Sequence, residues 1–97
     1  MKNVPEAFLP KPVYRAVNIP SPRLDALVAE VYNLSRSQAS TLITQKKVFI
    51  DARLTENTSK TVNEGSIVSV RGFGRFRYLG VEKVTRKDRL RVGVEVY

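Results

Sequence analysis

Ser21-Pro22-Arg23-Leu24-Asp25, then Leu34-Ser35-Arg36-Ser37-Gln38-Ala39, Ile43 and Val48-Phe49-Ile50 punctuate residues 21–50. Together they predict two short helices that run directly into a strand. Ser21 as N-cap with Pro22 at the first helical position is a favourable helix start. Leu24, Leu27, Val28 and Val31 then recur at the helical period and make one apolar stripe, ending near Tyr32-Asn33. Ser35, with Gln38 three residues on, has the spacing of a capping box for a second helix, whose apolar face continues through Ala39, Leu42 and Ile43. A turn this short makes the two helices pack at an angle, as in a helix-turn-helix pair.

The basic residues of this unit stand at its helix starts and at its closing turn. An Arg at a helix start opposes the macrodipole, which favours acidic residues there. Arg23 and Arg36 therefore call for another partner, and a phosphate is a good one. Lys46-Lys47 follows the second helix, where cations suit the dipole.

Downstream, Val48 and Ile50 alternate with Phe49 and Asp51 as a strand begins. Residues 51–66 are polar, with a turn signal at Asn63-Glu64-Gly65. Ile67–Val70 reads as a second strand, extended or followed by Phe73–Leu79. Val92, Val94 and Val96 alternate in a final strand, and Thr85–Arg89 is the expected hairpin tip before it. Upstream, residues 1–20 hold four of the five prolines, which disfavours a helix. This segment is expected to be an extended arm or linker, and a chain that opens this way reads as a fragment of something longer. Val13, Ala16, Val17 and Ile19 allow a short extended piece docked on the domain. The expected organisation is an arm over 1–20, a core over 21–72 and a basic β extension of the same domain over 73–97.

Ninety-seven residues, 42% hydrophobic and 27% charged, suit one small globular domain. A net charge of +8 and a pI near 10.2 favour a polyanionic partner. The window Arg71–Arg91 alone supplies +6, from eight basic residues against Glu82 and Asp88. Cys, His and Trp are absent, so disulfides, thiolate or imidazole metal sites and His-dependent nucleophilic catalysis are excluded. The nine carboxylates form no spaced pair suited to acid–base work. No apolar run reaches the length of a membrane span, and no signal-peptide core is seen at the N-terminus. The expectation is a soluble, cytoplasmic, non-catalytic and monomeric protein with neither cofactor nor metal.

Two sets of residues have the chemistry of a nucleic-acid contact. The first is Arg23, Arg36, Lys46, Lys47 and Arg53, with Ser35, Ser37 and Gln38 beside the open amides of a helix start. Capping and ion pairs, such as Arg23 with Asp25 or Glu30, compete with that reading, and singly they suit Ser35 and Gln38 better. Arg36 is assigned to nucleic acid. The second set is Arg71-Gly72-Phe73-Gly74-Arg75-Phe76-Arg77-Tyr78, where basic and aromatic residues interleave as in surfaces that combine phosphate contact with base stacking. On a strand, Arg71, Phe73, Arg75 and Arg77 would share one face, while Phe76 and Tyr78 would point to the core. Phe73, between glycines, is the candidate exposed ring.

Arg23-Leu24-Asp25, Ser35-Arg36-Ser37-Gln38-Ala39, Ile43, Val48, Ile50 and Glu64-Gly65 before Ile67-Val68 together resemble the RNA-binding module of the ribosomal protein S-four type, the alpha-L motif, over roughly residues 21–72. The continuation through Val70–Phe76 resembles the C-terminal domain of YlmH-type cell-division-locus RNA-binding proteins and their photosynthetic relatives. The resemblance implies an α+β fold in which two short angled helices pack on a small, mostly antiparallel sheet with a C-terminal β-hairpin. It also implies structured RNA, ribosomal or tRNA-like, as partner, with the large ribosomal subunit as a setting. By position it carries RNA contact onto Arg23, Ser35, Arg36, Ser37, Gln38, Lys46, Lys47 and Arg53, to which the residues themselves add Arg71, Arg75 and Arg77. The chain departs from the family where Lys46 replaces a usual Gly, Asp51-Ala52 a usual Asn-Gly, and Ser66 a usual Asp. The alternatives are an accessory RNA-binding domain of a larger RNA-modifying enzyme and a basic protein–protein interaction module.

Overall fold

The computed structural model describes residues 12–85 and 89–97. Six strands and two helices follow in chain order: β1 (Val13–Ile19), α1 (Leu24–Val31), α2 (Arg36–Thr44), β2 (Val48–Ile50), β3 (Arg53–Leu54), β4 (Ile67–Val70), β5 (Gly74–Val84) and β6 (Leu90–Val96). The strands form one sheet in the order β1-β6-β5-β4-β2-β3, with antiparallel pairing between every pair of neighbours. The α+β architecture is the one the sequence predicts.

Strand alternation builds the core. Val48, Ile50, Val68, Val70, Phe76, Tyr78, Val92 and Val94 are buried, and Leu24, Leu27, Val28, Ala39 and Ile43 of the helices join the same cluster. Burying each large apolar side chain contributes about 1.5–3 kcal/mol. Phe49, Ile67, Ser69, Arg75 and Arg77 alternate with the buried set and are partly or fully exposed.

Helix starts separate local from tertiary control. α2 begins as expected. Ser35 Oγ accepts from the Gln38 amide at 3.0 Å, and Gln38 Oε1 accepts from the Ser35 amide at 3.0 Å. α1 does not begin at Ser21-Pro22. Its N-cap is Arg23, extended at φ −83° and ψ 149°, and Arg23 bridges to Thr61. The cause is the loop alongside. Pro22 O accepts from the Val62 amide, while the Leu24 and Asp25 amides donate to Lys60 O and Thr58 O. That pairing holds residues 22–23 extended and delays the helix.

Both helices end on a left-handed residue, and α2 makes both hydrogen bonds of a Schellman motif where α1 makes only the wider one. After α1, Asn33 sits at φ 55° and the Leu34 amide donates to Ala29 O at 2.8 Å. After α2, Lys46 sits at φ 64°, with the Lys46 amide donating to Ile43 O and the Lys47 amide to Leu42 O. Lys46 thus occupies a left-handed position that glycine favours. β2 and β3 join through Asp51-Ala52 at φ 50° and 69°, a two-residue type I′ turn whose preferred sequence is Asn-Gly. Asp51 offsets part of the strain, since its Oδ1 accepts from the Ile67 amide at 3.0 Å.

Two further expectations change, and one is extended. Val13–Ile19, where the sequence allows a short docked extended piece within the arm, pairs along its whole length with β6 as an edge strand. The prolines that obscure it stop at Pro12 and resume at Pro20, outside the strand. Arg71 and Phe73 do not share a strand face with Arg75 and Arg77. They lie in a turn where the Phe73 amide donates to Val70 O and Gly72 takes φ 86°. The short strand β3 falls in the stretch read only as polar. The arm expectation over residues 1–11 and the centre of the hairpin tip, 86–88, lie outside the described residues.

Candidate nucleic-acid interface

The two helix-start arginines converge on one carboxylate. Asp25 is buried, and its Oδ2 accepts from Arg23 Nη2 and Arg36 Nη2, each at 3.1 Å. Its Oδ1 accepts from the Ala26 amide at 2.8 Å. The ion pair expected for Arg23 is therefore present, and Arg36 shares it. Both side chains are partly open to solvent, at 41% and 48%, although Arg23 Nε is buried without a hydrogen-bond partner. An Arg has more donors than Asp25 accepts, so each presents an oriented remainder outward. The first-turn amides of α1 are taken by Lys60 O, Thr58 O and Asp25 itself, so that helix start offers no open anion cradle.

The start of α2 is different. Ser35 and Gln38 cap one another, which is the structural role that suited them singly. The Arg36 and Ser37 amides have no acceptor among the described hydrogen bonds, as a helix's first turn leaves them, and Ser37 is exposed. At the far end of α2, about 15 Å away at 1.5 Å per residue, Lys46 and Lys47 are exposed. The Arg71 amide donates to Lys47 O at 2.9 Å, which ties the β4–β5 turn to the end of α2. Lys46, Lys47 and Arg71 thereby form one basic group, and none makes an ion pair among the described residues.

The remaining members lie apart. Arg53 sits beyond the Asp51-Ala52 turn, three strand residues or about 10 Å along β2 from Lys47. There it lines a polar cavity with Asp51, Asn57, Lys60 and Asn63. Arg71 lies over the Phe49 ring at 6.0 Å and Arg75 over the Tyr97 ring at 5.3 Å, within reach of cation–π contact. Arg77 is only half exposed, and its buried Nε has no hydrogen-bond partner. Phe76 and Tyr78 are core, whereas Phe73 is 46% exposed. Burial raises the Tyr78 hydroxyl's pKa, with a smaller contribution from Glu64.

Sequence reasoning misses two contributors. It pairs Asp25 with Arg23 alone, because the reach to Arg36 depends on how α1 meets α2. Tyr32, at the end of α1, packs against Phe73 at 5.4 Å and Phe76 at 6.0 Å between ring centroids. Its hydroxyl is buried without a partner, and burial pushes its pKa up to about 12. The apolar helix stripe gives no sign of that contact.

Among the described residues, no cluster of His, Cys, Asp and Glu is placed to hold a metal, and no helix is long and apolar enough to cross a membrane. Residues 22–68 match the family model of the S4 domain. The chain is also 38% identical over 77 residues to the "Ribosome-associated protein quality control protein P2" of Bacillus subtilis (strain 168). That match covers 79% of this chain and 30% of the relative, so the chain spans under a third of that protein's length.

Proposed function

We propose, since this chain belongs to the S4-domain family of RNA-binding modules through residues 22–68, that it is a non-catalytic domain recognising structured RNA of ribosomal or tRNA type. The observation that carries this reading is the basic surface along α2. Arg36 stands at one end, Lys46, Lys47 and Arg71 at the other, and the Arg36 and Ser37 amides lie open at the helix start. Phosphate contacts and duplex shape would supply the affinity, since side chains cannot read the deep groove of A-form RNA. The similarity to a ribosome-associated quality-control protein supports association with the ribosome, the large subunit being the expected setting, and hence a cytoplasmic location.

Polarisation titration of a structured RNA tests the reading. Lys47→Glu with Arg71→Glu should weaken binding by at least tenfold while circular dichroism stays native. Unchanged affinity would remove the Lys47–Arg71 group from the interface. Arg36→Glu is a poor probe, because the new carboxylate would face the buried Asp25.

A further inference from the structure

Both helices pack on one face of the sheet, against Val48, Val68, Phe76 and Val94, and among the described residues no helix covers the other. Strand register lays a row of side chains across that open face. Phe49 stands opposite Ser69, Ser69 opposite Arg75, and Arg75 O accepts from the Tyr97 amide at 3.0 Å. Four strands at about 4.8 Å spacing make the row about 14 Å wide. Cations sit over its rings, Arg71 at 6.0 Å from the Phe49 centroid and Arg75 at 5.3 Å from that of Tyr97. Arg71 belongs to the β4–β5 turn, yet its guanidinium reaches back over the first residue of the row. Through the tie to Lys47, the row meets the basic group at the end of α2. The carboxylates of the same face lie further along the strands. Glu95 is registered between Arg77 and Tyr14, Glu64 packs against Gly80, and Glu82 bonds Tyr14 and pairs with Arg91 at 3.8 Å.

We infer that this open face is a second contact for the RNA, holding its sugar–phosphate backbone through Arg71 and Arg75. The bound strand then turns from the end of α2 onto the sheet. The inference rests on the RNA-binding reading and extends it to a face that reading leaves out. Two observations select backbone phosphate. Arg71 and Arg75 are exposed, and neither makes an ion pair among the described residues. A guanidinium without a carboxylate keeps its fork of donors for a phosphate, whose geometry it matches. Both rings already have a guanidinium over them, so the row offers cations rather than bare ring faces for base stacking. The acidic side chains mark where the contact stops. Glu64, Glu82 and Glu95 repel a polyanion, so Lys83, beyond them on β5 and opposite Arg91, lies outside it.

The test titrates a stem-loop RNA at several salt concentrations with the whole chain, as wild type, Arg75→Ala, Ser69→Glu and Lys83→Ala, each checked for native circular dichroism. Arg75→Ala is expected to lower the slope of log affinity against log salt by about 0.7–0.9, the value of one phosphate contact. Ser69→Glu sets a carboxylate directly opposite Arg75 and is expected to lower it equally with every cation still in place. Lys83→Ala is expected to keep the wild-type slope. A wild-type slope for Arg75→Ala overturns the second contact and gives the open face to another class of partner, such as an acidic peptide. An equal loss in Lys83→Ala overturns it as well, since Arg75 then acts only through total charge. Either result leaves the α2 reading intact, because Lys47→Glu with Arg71→Glu tests that separately. A wild-type chain that binds no RNA overturns both.

Discussion

Asp25 and Arg36 meet at 3.1 Å across the α1–α2 turn, and the same carboxylate oxygen also accepts from Arg23. One buried negative charge therefore orients two cations of the candidate interface and fixes the angle between the helices. Removing one partner of a fully buried pair costs about 3–5 kcal/mol. Here the arginines are roughly half exposed, so Asp25→Ala should cost about 2 kcal/mol, read by urea denaturation. Arg36→Gln should cost well under half as much, because Arg23 still pairs with Asp25. Equal losses from the two substitutions would show that Asp25 matters through Arg36 alone.

Helix α2 and the strand cores are legible in the sequence because their determinants are local. Ser35 and Gln38 satisfy one another across three residues, and the alternation in Ile67–Val70 and Leu90–Val96 needs only its own period. The start of α1 is not, because its arbiters, Lys60, Thr58 and Val62, lie more than thirty residues downstream. The same limit hides Asp25 as the joint partner of Arg23 and Arg36, and the pairing of β1 with β6, of which the sequence shows only a short extended piece. Basic residues can be counted from the sequence. Which of them stand together cannot be read there, since the Lys47–Arg71 tie joins distant turns.

The departures from the family at Lys46 and Ala52 predict a stability reserve. Both residues hold φ above 60°, where a side chain costs roughly 1–2 kcal/mol that glycine avoids, less the entropy glycine loses on folding. Ala52→Gly should stabilise the protein by about 0.5–1 kcal/mol without changing RNA affinity. Lys46→Gly should stabilise it similarly but weaken RNA binding, because the charge goes with the strain. A shift of the urea midpoint to lower concentration in both variants would show that these turns relax at no cost.

Tyr32 gives a pH signature. Its hydroxyl is buried unpaired, and its pKa stands near 12 against 10 for the unfolded chain. A raised folded pKa favours the protonated form, so its contribution is complete below about pH 10 and is lost as pH climbs toward 12. Tyr32→Phe removes the unpaired hydroxyl and should stabilise the protein by about 1 kcal/mol at pH 7. The gain should grow between pH 10 and 12, where wild type alone must keep a phenol protonated. Denaturation at pH 7 and pH 11 reads both effects, and a gain that shrinks at pH 11 would contradict the assignment.

Salt dependence separates the basic residues that touch RNA from those that only enrich the charge. Removing a cation that neutralises one phosphate should reduce the slope of log affinity against log salt by about 0.7–0.9. Lys46→Ala, Lys47→Ala and Arg71→Ala should each lower the slope by that amount, since their exposed side chains share one surface. Arg77→Ala should leave it unchanged, because that side chain is half buried on β5 with its Nε inside the protein. Arg53 decides the extent of the interface. It stands about 10 Å along β2 from Lys47, beside Lys60 in a separate cavity. A lowered slope for Arg53→Ala alone would carry the RNA past the β2–β3 turn. A lowered slope for both Arg53→Ala and Lys60→Ala would bring that cavity into the bound surface.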